Sequence, residues 1–222
     1  GLKVGFPKEY YDVDIDEGGR DTALKALDLF KNAGAEIVEV SLPNFEASLS
    51  VYYILACAEA SSNLGMFDGV KYGFRAQNYQ DLLDLYIATR TEGFGDEVKR
   101  RILFGNFVLS SDNYQAYFVK ALKARTVIKE NYKKAFEKCD IIIGPTSPCT
   151  AYKFDAKLSF RCSFMSDIYT SSVNIAGLPA ISVPFGKDKD GLPYGLQIIA
   201  PPLCEQRIYN AAKFVQDGEG KK

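Results

Sequence analysis

Three polar clusters in this 222-residue chain have the residue types and spacing that chemistry needs. Lys99, Arg100 and Arg101 stand between Val98 and Ile102, so one of the two arginines must lean toward the apolar side of its helix. There it needs an anionic partner, because an unpaired buried charge is strongly unfavourable. A protein carboxylate would serve, and so would a ligand carboxylate gripped by the guanidinium fork. The second cluster, residues 166–174, places Asp167 among hydroxyls and the amide of Asn174 just before a Gly-Leu-Pro turn. Asp167 reads either as a helix cap or as part of a site. The third is the Gly144-Pro145-Thr146-Ser147-Pro148 turn, whose hydroxyls and backbone N–H groups either close the turn or face a ligand.

Other chemistry is excluded by composition. The chain has no histidine, so no Ser-His-Asp triad, Cys-His pair or histidine-ligated metal can be built from its own residues. Paired serines occur at Ser61-Ser62, Ser110-Ser111 and Ser171-Ser172, none in a Gly-x-Ser-x-Gly elbow. Five widely spaced cysteines (Cys57, Cys139, Cys149, Cys162, Cys204) form no CxxC and read as small apolar residues in a reducing compartment. Lys+Arg 27 against Asp+Glu 28 gives a net charge of -1, without the overall basic footprint of a nucleic-acid binder. No apolar run approaches the roughly 20 residues that span a bilayer. A start at Gly1, directly into an apolar run, is expected of a fragment.

The elements that must position these clusters are α/β. Residues 2–6 and 35–42 predict strands flanking a helix that starts near Asp16 and stops at Gly34, a βαβ unit that favours a parallel or mixed sheet. Helices are expected over 45–63 and 82–89, and from Asp96, read as a cap. A single long helix is expected over 112–138, with Tyr117, Ala121, Ala124 and Ile128 on its apolar seam. The lysines and arginines of that helix (120, 123, 125, 129, 133, 134, 138) read as a solvated face or as an RNA-facing strip. Residues 139–144 predict a central buried strand, and 178–185 with 193–200 a hairpin across a polar turn. A closing helix over 203–215 and a frayed tail over 217–222 complete one unit, with no linker dividing residues 1–222.

Several stretches are specific enough to carry a resemblance: GLKVGFPKEYY from Gly1, AEASSNL from Ala58 with DGVKYGFR from Asp68, TRTEGFGDEVKRRILFG from Thr89, SSDNYQAYFVKALKARTVIK from Ser110, CDIIIGPTSPCTA from Cys139, and SDIYTSSVNIAGLPAISVPFG from Ser166 with GLPYGLQIIAPP from Gly191. In this order they resemble the amidase signature family over nearly the whole chain, and most of all its glutamine-dependent, tRNA-linked amidotransferase branch. The resemblance implies an α/β/α sandwich with a mixed sheet covered by helices, and amide hydrolysis by a Ser–cis-Ser–Lys triad that needs no histidine. The Gly/Ser-rich signature and triad of the family have no counterpart here, so no catalytic residue is expected in this chain and the piece alone is expected to be inactive.

What the resemblance assigns to this portion is substrate recognition. Arg101 matches the arginine that holds the α-carboxylate of glutamine, Asp167 the acid that takes its α-ammonium, and Tyr52 a tyrosine of the same pocket; Arg100 is the adjacent alternative. No metal or cofactor is implied in this chain, with ATP and Mg²⁺ used by a partner subunit. The implied partners are subunits B and C, glutamine and, indirectly, tRNA, in the cytoplasm or in a mitochondrial or plastid version. A general amidase of the same family and a non-catalytic α/β binding module are the rival readings. Residues 157–163 (KLSFRCS) and Phe185 depart from the family's usual pattern.

Overall fold

A computed structural model describes residues 1–12, 15–156 and 164–219. The departing stretch 157–163, Cys162 within it, and the last three residues of the expected tail lie outside the described residues. Where one unit is expected, the chain forms two compact units: residues 1–50 with 124–222, and residues 51–123. Both boundaries fall inside helices, α2 (Ala47–Asn63) and α6 (Lys120–Phe136). A helix running through a boundary leaves no Gly/Pro-rich linker for sequence reading to find.

The first unit carries the sheet. Strands β1 (Lys3–Pro7), β2 (Glu36–Val40), β3 (Ile141–Pro145), β4 (Ala180–Lys187) and β5 (Pro193–Ile199) lie in the order β2-β1-β3-β5-β4. β1 runs parallel to β2 and β3, and β5 antiparallel to β3 and β4, so the sheet is mixed as expected. Its centre is β3, whose Ile141, Ile142 and Ile143 are buried, as a continuous apolar run requires of a strand covered on both faces. Alternation sends Val4, Ile141, Ile143, Leu196 and Ile198 to one face. They pack there with Leu27 and Phe30 of α1 (Glu17–Asn32) and with Val215 of α8 (Glu205–Glu219).

The opposite face carries Gly144, where a Cβ would lie 2.4 Å from the ring of Tyr10. The phenol that fills this space joins a buried chain of hydroxyls. Tyr10 bonds Tyr132 at 3.0 Å, Tyr132 bonds Ser172 at 2.7 Å, and the Tyr169 hydroxyl donates to the Tyr10 carbonyl at 2.9 Å. Burial pushes the Tyr132 hydroxyl up to about 12, so it stays protonated and able to donate. Tyr132→Phe keeps the ring and takes from the buried Tyr10 and Ser172 hydroxyls a shared partner; a loss of about 1–3 kcal/mol in urea unfolding is expected.

Several expectations are corrected. Asp96 is the first residue of α4 (Asp96–Leu109); Gly95 occupies the cap position. The long helix is interrupted: α5 (Ser111–Tyr114) passes into a π turn (Gln115–Val119) before α6. The extra residue per turn rotates the seam, leaving Tyr117 exposed while Ala121, Ile128, Tyr132 and Ala135 are buried. The basic residues of α6 line an exposed face, and Arg125 donates its Nε–H to the Ile175 carbonyl at 3.1 Å. The closing helix starts at Glu205 because Leu203 adopts a left-handed backbone (φ 60°), and it runs to Glu219, past the expected start of the tail.

The second unit is helical: most of α2, then α3 (Leu82–Gly93), α4, α5 and the π turn. Helices α2 and α4 meet at Gly105, where a Cβ would lie 2.0 Å from the Cys57 carbonyl oxygen. No helix among the described residues is long and apolar enough to cross a membrane.

Candidate functional site

Helices α2 and α4 bring two of the three predicted site residues together in the helical unit. Arg101 lies one turn before Gly105, so the close approach at Gly105 draws this face of α4 onto α2. The Arg101 guanidinium stands 5.8 Å from the centroid of the Tyr53 ring, a cation–π distance. Its Nε donates to Glu97 Oε1 at 3.1 Å, and the Tyr52 hydroxyl is a further hydrogen-bond partner. Burial alone favours the neutral guanidinium, but Glu97 and Tyr52 outweigh it and raise the pKa, so the charge is retained. The Arg101 side chain is 36% exposed against 70% for Arg100. Of the two adjacent arginines, Arg101 is the one turned toward the protein.

Glu97 is the residue that sequence reading missed. It provides the anionic partner, and its signal was present: a carboxylate four residues before an arginine on a helix. Its other oxygen is bonded by Arg100.

Asp167 lies in the sheet unit, at the cap position of α7 (Ile168–Ala176). It does not cap with its side chain: the carboxylate accepts no hydrogen bond among the described residues, and only its carbonyl is engaged, by Ser171 N at 2.9 Å and Thr170 Oγ1 at 3.3 Å. Asp167 is half-buried at a helix start, where the dipole favours negative charge.

One turn further along α7, Thr170 and Asn174 line a cleft of about 270 Å³ with Thr146, Ser182 and Gln197. Residue 195 must be glycine for Thr146 and Ser182 to meet here: a Cβ there would lie 2.8 Å from both Ser182 Oγ and Thr146 Oγ1. Those two hydroxyls bond each other at 2.7 Å, and Thr146 N donates to the Gly195 carbonyl. The 144–148 turn is thereby tied to the β4–β5 hairpin. Among the paired serines, Ser61 and Ser62 donate to the Ala58 carbonyl, Ser110 to that of Phe107 and Ser172 to that of Tyr169. No group of three or more Cys, Asp or Glu side chains placed to hold a metal ion occurs among the described residues.

A sequence model of the amidase family matches residues 1–209. The glutamyl-tRNA(Gln) amidotransferase A-subunit of Caldanaerobacter subterraneus subsp. tengcongensis is 53% identical over 213 residues, 96% of this chain and 43% of that protein. The protein of the same name from Halothermothrix orenii is 48% identical over all 222 residues, 46% of its length. The chain thus spans less than half the length of these relatives. The crystal structure of the Thermotoga maritima protein of that name superposes with a TM-score of 0.73 at 36% identity, covering 97% of this chain and 42% of that one.

Proposed function

We propose, from the premise that this chain belongs to the amidase family, that it forms the substrate-recognising part of the A-subunit of a glutamyl-tRNA(Gln) amidotransferase. The complete protein hydrolyses glutamine, and the ammonia released amidates Glu-tRNA(Gln) on partner subunits B and C with their ATP and Mg²⁺. Arg101 takes the α-carboxylate of glutamine, Tyr52 supports that arginine, and Asp167 takes the α-ammonium. A zwitterion is best held by groups of opposite charge, and a guanidinium fork adds direction to the grip. The nucleophile and its base come from outside these 222 residues.

The observation that carries the reading is the state of Arg101. It is charged, oriented by an aromatic ring and a carboxylate, and engages that carboxylate through Nε alone. Its two terminal nitrogens carry more N–H groups than the hydrogen bond to Tyr52 uses, which leaves donors for a second carboxylate.

The test compares glutamine with propionamide as substrates of the complete protein. Strong preference for glutamine is expected, and no turnover by residues 1–222 alone. Equal rates on the two amides would make the protein a general amidase. Glutaminase activity of residues 1–222 that survives exhaustive purification would place the nucleophile within this chain.

A further inference from the structure

We infer that Glu97 is a positioning residue for Arg101, occupying the Nε edge of the guanidinium so that the edge formed by its two terminal nitrogens faces the substrate carboxylate. The inference rests on the reading that Arg101 binds glutamine. A guanidinium offers five N–H donors in a rigid plane, with one edge made by Nε and a terminal nitrogen and another by the two terminal nitrogens. Either edge can hold a carboxylate, so an arginine on a flexible stem needs its plane fixed before it can discriminate.

Three contacts fix it here. Glu97 Oε1 accepts from Nε at 3.1 Å, the Tyr53 ring lies 5.8 Å from the guanidinium carbon, and the Tyr52 hydroxyl takes a further hydrogen bond. Nε is the one nitrogen of Arg101 that donates to a carboxylate among the described residues.

Glu97 is itself held. Its Oε2 is bonded by Arg100, so the carboxylate is clamped between the residue three positions on and the residue four positions on. The adjacent arginines therefore have different tasks. Arg100, 70% exposed, fixes Glu97; Arg101, 36% exposed, is fixed by it. Two arginines and one glutamate leave one net positive charge in the trio, so holding Arg101 with a carboxylate does not cancel its pull on an anion.

The test measures KM and kcat for glutamine on the complete protein. Glu97→Ala removes the acceptor and is expected to raise KM by up to about fivefold, the upper end of what one exposed ion pair contributes, with a much smaller change in kcat. Glu97→Gln keeps a carbonyl oxygen for the Nε proton and is expected to return KM to within about twofold of the parent. An unchanged or lowered KM in Glu97→Ala overturns the inference, the lowered value meaning that Glu97 competes with substrate. Equal increases in both variants also overturn it, since charge rather than the acceptor would then matter. Arg101→Lys in the same series separates the two levels. If it leaves KM unchanged, the assignment of Arg101 to glutamine fails; if it raises KM while Glu97→Ala does not, only the role of Glu97 fails.

Discussion

Gly105→Ala is expected to destabilise the helical unit by about 3 kcal/mol, the upper end for overpacking. The added carbon would lie 2.0 Å from the Cys57 carbonyl oxygen, 2.7 Å from its carbon and 2.6 Å from Ser61 Oγ. The obstacle is backbone, so no rotamer change relieves it; α4 and α2 must separate by more than an ångström along their contact. Alanine's better helix propensity, worth about 1 kcal/mol over glycine, is too small to offset that. Urea unfolding followed by circular dichroism reads the loss, with Leu103→Ala on the same helix as control. Leu103 is 70% exposed, so its truncation is expected to stay within about 0.5 kcal/mol. The substitution also reaches the site. Arg101 is one turn from Gly105 and Tyr53 one turn from Cys57, so separating the helices pulls the guanidinium off the ring. A raised KM for glutamine accompanies the lost stability if the complete protein still folds. A variant as stable as the parent would mean that the helices do not approach this closely.

The sheet was legible because its strands announce themselves locally. Ile141, Ile142 and Ile143 form a run that only a strand covered on both faces can bury, and Gly191 in a polar turn (φ 83°) between apolar segments marks the β4–β5 hairpin. Less legible was anything that depends on one residue's backbone angle. Leu203 reads as the apolar start of a helix, yet its positive φ keeps it outside α8 and leaves it 91% exposed. The π turn was equally hidden, since nothing in QAYFV distinguishes five residues per bond from four. Its consequence is visible only once the seam is seen to skip Tyr117 and resume at Ala121.

The candidate site divides along the same line. That one arginine of the Arg100-Arg101 pair must turn inward followed from Val98 and Ile102 alone, and Arg101 is the one. Its carboxylate partner and its aromatic support were not identified, although Glu97 sits at readable i,i+4 spacing. Tyr53 was not readable, because it lies on a different helix and arrives through the glycine at 105. For Asp167, position at a helix start suggested a cap, and only coordinates show the carboxylate unused by the helix. The cleft beside Thr170 had still less signal, because its lining comes from the turn after β3 and from α7, β4 and β5, separate segments of the sequence.

Arg101→Lys in the complete protein is expected to weaken glutamine binding by about 1–3 kcal/mol, roughly 5- to 150-fold in KM. Lysine keeps the charge and much of the stem but replaces a rigid fork with a single ammonium, which cannot make two parallel hydrogen bonds to one carboxylate. The effect is separable from stability because the Glu97–Arg101 pair is half-exposed, and such pairs contribute at most about 1 kcal/mol to folding. The melting temperature should therefore barely move while KM rises. Arg100→Lys is the paired control. At 70% exposure, with Glu97 as its contact, it acts only through Glu97, and a change within about threefold is expected. If the order is reversed, with Arg100→Lys the more damaging, the carboxylate is held by the outer arginine. The inner one would then be an ordinary helix–helix contact, its charge satisfied by Glu97 and its face by Tyr53.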